Sequence, residues 1–224
     1  MAVKKQVAKK QVAVEGGRQA AYAARNRARL IRDAQEILAE IGPSATIEQI
    51  ASHAEVSPTT IYKYFENKDA LFLEALSDAW EGFIGWANSS ITPGDMLEIT
   101  LDTGRKLFWA RKSHPLYANM LHNSLNQMPN FLVQSDKGVG KKVFKALAVS
   151  GDLKAEDFDE RFILWTNIYT GLLRSVFVTE ELSPSEAEVA FAIGLSVWGI
   201  SDAKAKKLIS RPLSFGDVRY LPVP

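Results

Sequence analysis

The chain has 224 residues, 46% of them hydrophobic and 24% charged, with a net charge of +1; that is enough apolar material for one large globular domain or a small domain joined to a larger one. It has no cysteine, which excludes disulfides, thiol catalysis and zinc-thiolate or iron-sulfur sites and makes a reducing cytosol the natural setting. No 18-residue apolar run occurs and the lysine-rich N-terminus lacks an apolar core, so neither a membrane span nor a secretory signal is expected and the chain reads as cytoplasmic.

The charge is unevenly placed. Residues 1–32 hold nine basic residues, Lys4, Lys5, Lys9, Lys10, Arg18, Arg25, Arg27, Arg29 and Arg32, against the single acid Glu15. A basic end on an otherwise acidic protein suits a partner of dense negative charge that touches one end only, and nucleic acid is the commonest such partner. Residues 1–17, with the low-complexity run "VKKQVAKKQVAV", read as a basic, disordered arm.

After residue 18 the apolar spacing is helical almost throughout, and no stretch alternates at period two long enough for a strand, so an all-α chain is expected. A first helix, roughly 19–41, lines up Leu30, Ala34, Ile37, Leu38 and Ile41 and stops at Gly42 and Pro43. Thr46 and Gln49 have the spacing of a capping box and open a short second helix carrying Ile47, Ile50, Ala51 and Ala54 inward. After the turn "EVS", Ser57 and Pro58 start a third helix in the preferred order, cap then proline. Ile61 and Phe65, four apart, face the core, which leaves Thr59, Thr60, Lys63 and Tyr64 turned largely outward. Asn67 caps a fourth helix, about 68–88. Breakers at "TPG", "SHP", "QMP", "SGD" and "LSPS" divide the rest into helices near 95–112, 115–126, 130–149, 155–180 and 185–209. The domain reading is a basic arm (1–17), a unit of three small helices (18–66), a larger helical body (67–210) and a Pro-rich tail (211–224) that lies along the surface.

Two short helices joined by a tight turn, the second offering small hydroxyls, phenols and a lysine, have the dimensions and chemistry of a unit that enters the DNA major groove. Hydroxyls bond phosphates or base edges, threonine methyls meet the thymine methyl, and Lys63 reaches phosphate or guanine. The segment "TIEQIASHAEVSPTTIYKYFENKDALF" resembles the DNA-binding segment of the tetracycline-repressor (TetR) family, over about residues 20–75. The resemblance implies a dimeric, all-helical transcription regulator, usually a repressor, whose C-terminal body binds a small-molecule effector and releases a palindromic operator. Carried onto this sequence, the family's DNA-facing positions fall at Thr46, Glu48, Thr59, Thr60, Tyr62, Lys63, Tyr64 and Lys68. Arg25 and Arg29 of the first helix are added as candidate DNA contacts, or else belong to a solvated face. One departure stands out: the family has glycine before Val-Ser, and here Glu55 must take any left-handed conformation the turn requires.

Residues 161–178 and 187–200 are apolar nearly all round, a pattern that needs cover on both faces; the resembled family supplies it as a four-helix homodimer interface, with Gly171, Ser175, Ala190 and Gly194 permitting close approach. Candidate ligand-lining residues in the body are Trp86, Trp109, Tyr117, Met120, Phe131, Trp165 and Tyr169, with His122, Asn119, Asn123 and Asn167 as polar groups able to orient a ligand. No metal, cofactor or catalytic residue is expected. His114 and His122 lack metal-ligand spacing, no serine sits in a nucleophile elbow, and "KGVGKK" lacks phosphate-loop spacing. The alternative function is a nonspecific nucleic-acid-binding protein acting through its basic N-terminal arm alone.

Overall fold

Short-range capping fixes where most helices begin. Thr46, Asp95 and Ser183 each accept from the backbone N–H three residues on, while Gln49, Glu98 and Glu186 reach back to form full capping boxes; Ser57, Asn67 and Ser201 cap without that return bond. The computed structural model describes the backbone over residues 2–125 and 138–216, with side chains from residue 19 onward. It contains α1 (Ala2–Glu40), α2 (Ile47–His53), α3 (Pro58–Tyr62), α4 (Lys68–Ser89), α5 (Met96–Phe108), α6 (Ala110–Ser113) and α7 (Pro115–Ser124). After them come α8 (Val139–Val149), α9 (Phe158–Phe177), α10 (Pro184–Gly194), a 3-10 turn (Leu195–Trp198) and α11 (Asp202–Ile209). No strand occurs among the described residues, and among them no helix is long and apolar enough to cross a membrane.

Three expected boundaries change. Helix α1 starts at Ala2 rather than near residue 19; in the run read as a disordered arm, the good helix formers Ala, Lys and Gln outnumber four valines and two glycines. The expected helix 95–112 splits at Trp109, where φ −94 and ψ 9 leave the helical basin. The expected helix 185–209 splits too: Gly199 turns left-handed at φ +76 and Ser201 caps a new helix, a glycine-then-serine stop and start of the ordinary kind.

The core runs continuously from the small N-terminal helices into the body. Gln35 of α1 donates to the Ala75 carbonyl (3.1 Å) and to Asp78 (2.8 Å) on α4. Asn123 of α7 donates to the carbonyls of Leu38 and Ala39, holding the last turn of α1 against the body. The tail is anchored as far as it is described. Arg211 pairs with Glu98 (2.9 Å) and donates to the Pro93 carbonyl, Arg105 donates to the carbonyls of Ile209 and Arg211, and Phe215 packs near Trp86 and Trp109.

His114, at the junction of α6 and α7, lies 4.4 Å from the Trp86 ring and 5.2 Å from the Phe83 ring, with Nδ1 paired to the Ser113 hydroxyl and Nε2 buried without a partner. Burial lowers its pKa to about 4. The unfolded chain takes up this proton near pH 6.5 and the folded chain refuses it until about 4, so stability is full above 6.5 and declines as the pH falls to 4. The loss through this one residue is about 3 kcal/mol, read as the drop in urea midpoint between pH 7 and pH 4. His114→Phe should remove most of that slope, and an unchanged slope would show that other groups carry it.

Candidate nucleic-acid interface and cavity

Helices α2 and α3 are positioned by one turn. Ala54 closes α2, Glu55 sits at φ +52, and the Val56 N–H returns to the Ala51 carbonyl at 2.9 Å. The left-handed residue is therefore at the position where glycine would be free of strain, and the exposed Glu55 side chain adopts it with some strain. Helix α3 is only five residues long. Its Ser57 cap bonds both the N–H and the hydroxyl of Thr60, and Ile61 and Phe65, at 0% and 3% exposure, fasten it to the core.

The expected DNA-facing residues then divide in two. Glu48, Thr59, Tyr62 and Lys63 are exposed, Tyr62 by 53%, and Thr46 and Thr60 stand beside them with their hydroxyls in caps. Arg25 is exposed as well and has no partner among the described residues. The other group is tied inward. The Lys68 ammonium donates to the carbonyls of Pro43 (2.8 Å) and Ala45 (2.9 Å) and lies 5.5 Å over the Phe72 ring. Arg29 donates to the Ala54 carbonyl at 2.6 Å, at the C-terminal end of α2. The Tyr64 hydroxyl accepts from Asn26 at 3.4 Å and its ring is half-buried. Lys68 and Arg29 thus hold the frame of the helix pair, and the outward cations are Lys63 and Arg25. Arg27 is likewise engaged, paired with Glu74 and 4.8 Å over Phe65, though partly exposed.

Asp33, Glu36 and His53 bring ligand-type atoms within 4.8 Å of one another between α1 and α2. The His53 to Glu36 contact of 2.7 Å and Arg29 at 3.7 Å from Asp33 make this a local charge cluster bracing the two helices.

In the body, a cavity of about 580 Å³ opens between α4, α5, α8, α9 and α10, within the ~300–1,000 Å³ usual for small-molecule sites. Of the expected lining residues, Trp165 and Tyr169 are there. Trp86, Tyr117 and Met120 are corrected: at 6%, 4% and 0% exposure they are core, because their faces of α4 and α7 pack inside the aromatic cluster around Phe83. Trp109 is corrected as well. Its indole donates to Glu188 at 2.8 Å and it lines a separate recess with Arg105, Lys112 and Phe215. Phe131 lies outside the described residues. Two of the polar candidates are spent on structure, His122 on the Phe177 carbonyl and Asn123 on the end of α1, while Asn119 and Asn167 are exposed and lie outside the cavity lining. Sequence reasoning missed Trp80, Ile84 and Gly85 of α4 and Phe144 of α8. A signal existed on α9, where Phe162, Trp165, Thr166 and Tyr169 follow the i, i+3, i+4, i+7 spacing of one face.

On α9 and α10 a second face is left uncovered: Ile163 (62%), Leu164 (52%), Val189 (55%) and Ile193 (66%). Gly171 lies on it with nothing within 4 Å of a would-be Cβ, whereas Gly194 is used internally, 3.0 Å from Ile168.

Residues 30–75 match the family model for bacterial regulatory proteins of the tetR family. No curated protein matches the chain. Among solved structures, it is similar to RolR in complex with resorcinol (20% identity, TM-score 0.67, covering 89% of this chain and 99% of that one). It is similar also to RolR without ligand (22%, 0.62, covering 84% and 98%), and to a TetR family transcription regulator from Marinobacter aquaeolei VT8 (21%, 0.52, covering 80% and 97%).

Proposed function

We propose that this chain, whose residues 30–75 match the family model for bacterial regulatory proteins of the tetR family, is a ligand-responsive repressor that binds a palindromic operator as a homodimer and is released by a small molecule. The single observation that carries this reading is helix α4. Its first residue, Lys68, holds the loop before α2 through two carbonyls, and its later turns, at Trp80, Ile84 and Gly85, form a wall of the cavity. One rigid element therefore touches both the DNA-binding helices and the place where a small molecule fits, so a ligand that shifts α4 shifts the helix pair. The uncovered apolar strip of α9 and α10 is the natural self-complementary surface of a two-fold dimer. Two such copies present two α3 helices to half-sites about one DNA turn, roughly 34–36 Å, apart or a multiple of it.

The experiment is binding to an inverted repeat selected from random DNA, compared with a single half-site and with unrelated duplex. Lys63→Ala, at an exposed position that packs on nothing buried, should cost about 1–3 kcal/mol at one base pair and relax preference there. Tyr62→Phe should weaken specific and unrelated DNA about equally. Equal affinity for every duplex in the wild type would favour the alternative, a nonspecific coat acting through the N-terminal lysines.

A further inference from the structure

Five hydroxyls line the cavity, those of Thr100, Thr103, Thr166, Tyr169 and Thr170. Four have already spent their proton. Thr100 donates to the Met96 carbonyl (2.7 Å), Thr103 to Ile99 (3.0 Å), Thr166 to Phe162 (2.7 Å) and Tyr169 to Gly104 (2.8 Å). What these groups keep for a guest is oxygen lone pairs. Burial also raises the pKa of Tyr169, so its phenol stays neutral. Most of the remaining wall is rings and aliphatic groups, among them Trp80, Phe144, Phe162, Trp165 and Phe191, together with the exposed Glu81 and Asn88. The lining cation, Lys141, is an exposed residue already bonded to Asp159 at 2.7 Å, so no free positive charge among the described residues waits for an anion inside.

Building on the effector reading above, we infer that the cavity takes an uncharged aromatic molecule carrying hydroxyl donors, a phenol-class ligand, and discriminates against ethers and carboxylates of the same shape. A guest hydroxyl gives its proton to a threonine or tyrosine oxygen and can still accept from Thr170. An ether can only accept, so it leaves the wall's lone pairs unmatched, and a carboxylate loses its hydration to a wall in which four of the five hydroxyls offer acceptors alone. The flat rings of the wall match a flat guest by offset or edge contacts.

The test uses the full-length protein and three probes of one skeleton, 2-naphthol, 2-methoxynaphthalene and 2-naphthoate, measured by calorimetry. A cavity-filled control is Gly85→Phe: Gly85 lines the cavity, sits within a helix, and has nothing within 4 Å of a would-be Cβ. The expected result is that 2-naphthol binds at least about ten-fold tighter than the ether, although the ether is the more apolar of the two, that 2-naphthoate is weakest, and that Gly85→Phe abolishes all binding. If the ether or the carboxylate binds as tightly as the naphthol and Gly85→Phe still blocks it, the cavity stands and the donor requirement is overturned. If no probe binds, or Gly85→Phe changes nothing, the effector cavity itself falls and the inference with it.

Discussion

Lys106→Ala should lower the stability of the body by about 4 kcal/mol. The side chain is 1% exposed, and its ammonium donates to the carbonyls of Ala87 and Ser90 (2.8 Å each) and to the Ser90 hydroxyl (3.3 Å). Those carbonyls belong to the last turn of α4 and the residue after it, where no following helical amide donates to them and where the helix dipole favours a cation. A lysine on α5 therefore serves as the C-terminal cap of α4, and it also lies 5.5 Å over the Trp86 ring. Burial lowers its pKa, opposed by the charge of Asp102. Removing it strands several acceptors and opens a cavity at once. Lys106→Met, which keeps the stem, should lose roughly half as much. Urea unfolding followed by tryptophan fluorescence reads both variants; a loss below about 1 kcal/mol for the alanine would mean that water replaces the ammonium without cost.

Phe65→Ala should cost about 3–5 kcal/mol, and the loss should be local. The ring is 3% exposed beneath the Arg27 guanidinium and, with Ile61, is what holds the five-residue α3 in place. A unit of three small helices has little other apolar area to spare, so the expected outcome is fast amide exchange across residues 46–66 and loss of DNA binding. All five tryptophans, Trp80, Trp86, Trp109, Trp165 and Trp198, belong to the body. Their fluorescence transition and probe binding in the cavity should therefore persist. Concerted loss of both signals would show that the two parts unfold as one unit.

The helix starts were legible from sequence because capping is a matter of three residues. Thr46 with Gln49, Ser57 with Pro58 and Asn67 alone announce α2, α3 and α4 without reference to the rest of the chain. The left-handed turn at Glu55 was expected from the resembled family's glycine at that position, not from capping. The all-α class and the place of α3 followed from apolar spacing, and the family resemblance rested on that same stretch.

Tertiary structure alone decided what the charged and aromatic side chains are for. Lys68 stands in sequence at a DNA-facing position and Lys106 carries no local signal, yet each reaches carbonyls 16 to 25 residues away. Arg29, a candidate DNA contact in sequence, also braces the end of α2. The cavity was only half found because Trp86 and Trp165 are equally aromatic and equally buried; what separates them is that α9 and α5 stand apart where Tyr169 spans to Gly104, 65 residues distant, while α4 and α7 close completely around Phe83. Capping depends on bonds within one turn, and the sequence carries them whole. A cavity, or a lysine's partner, depends on how far apart two helices settle, which is set by the summed packing of side chains from segments that the local pattern never compares.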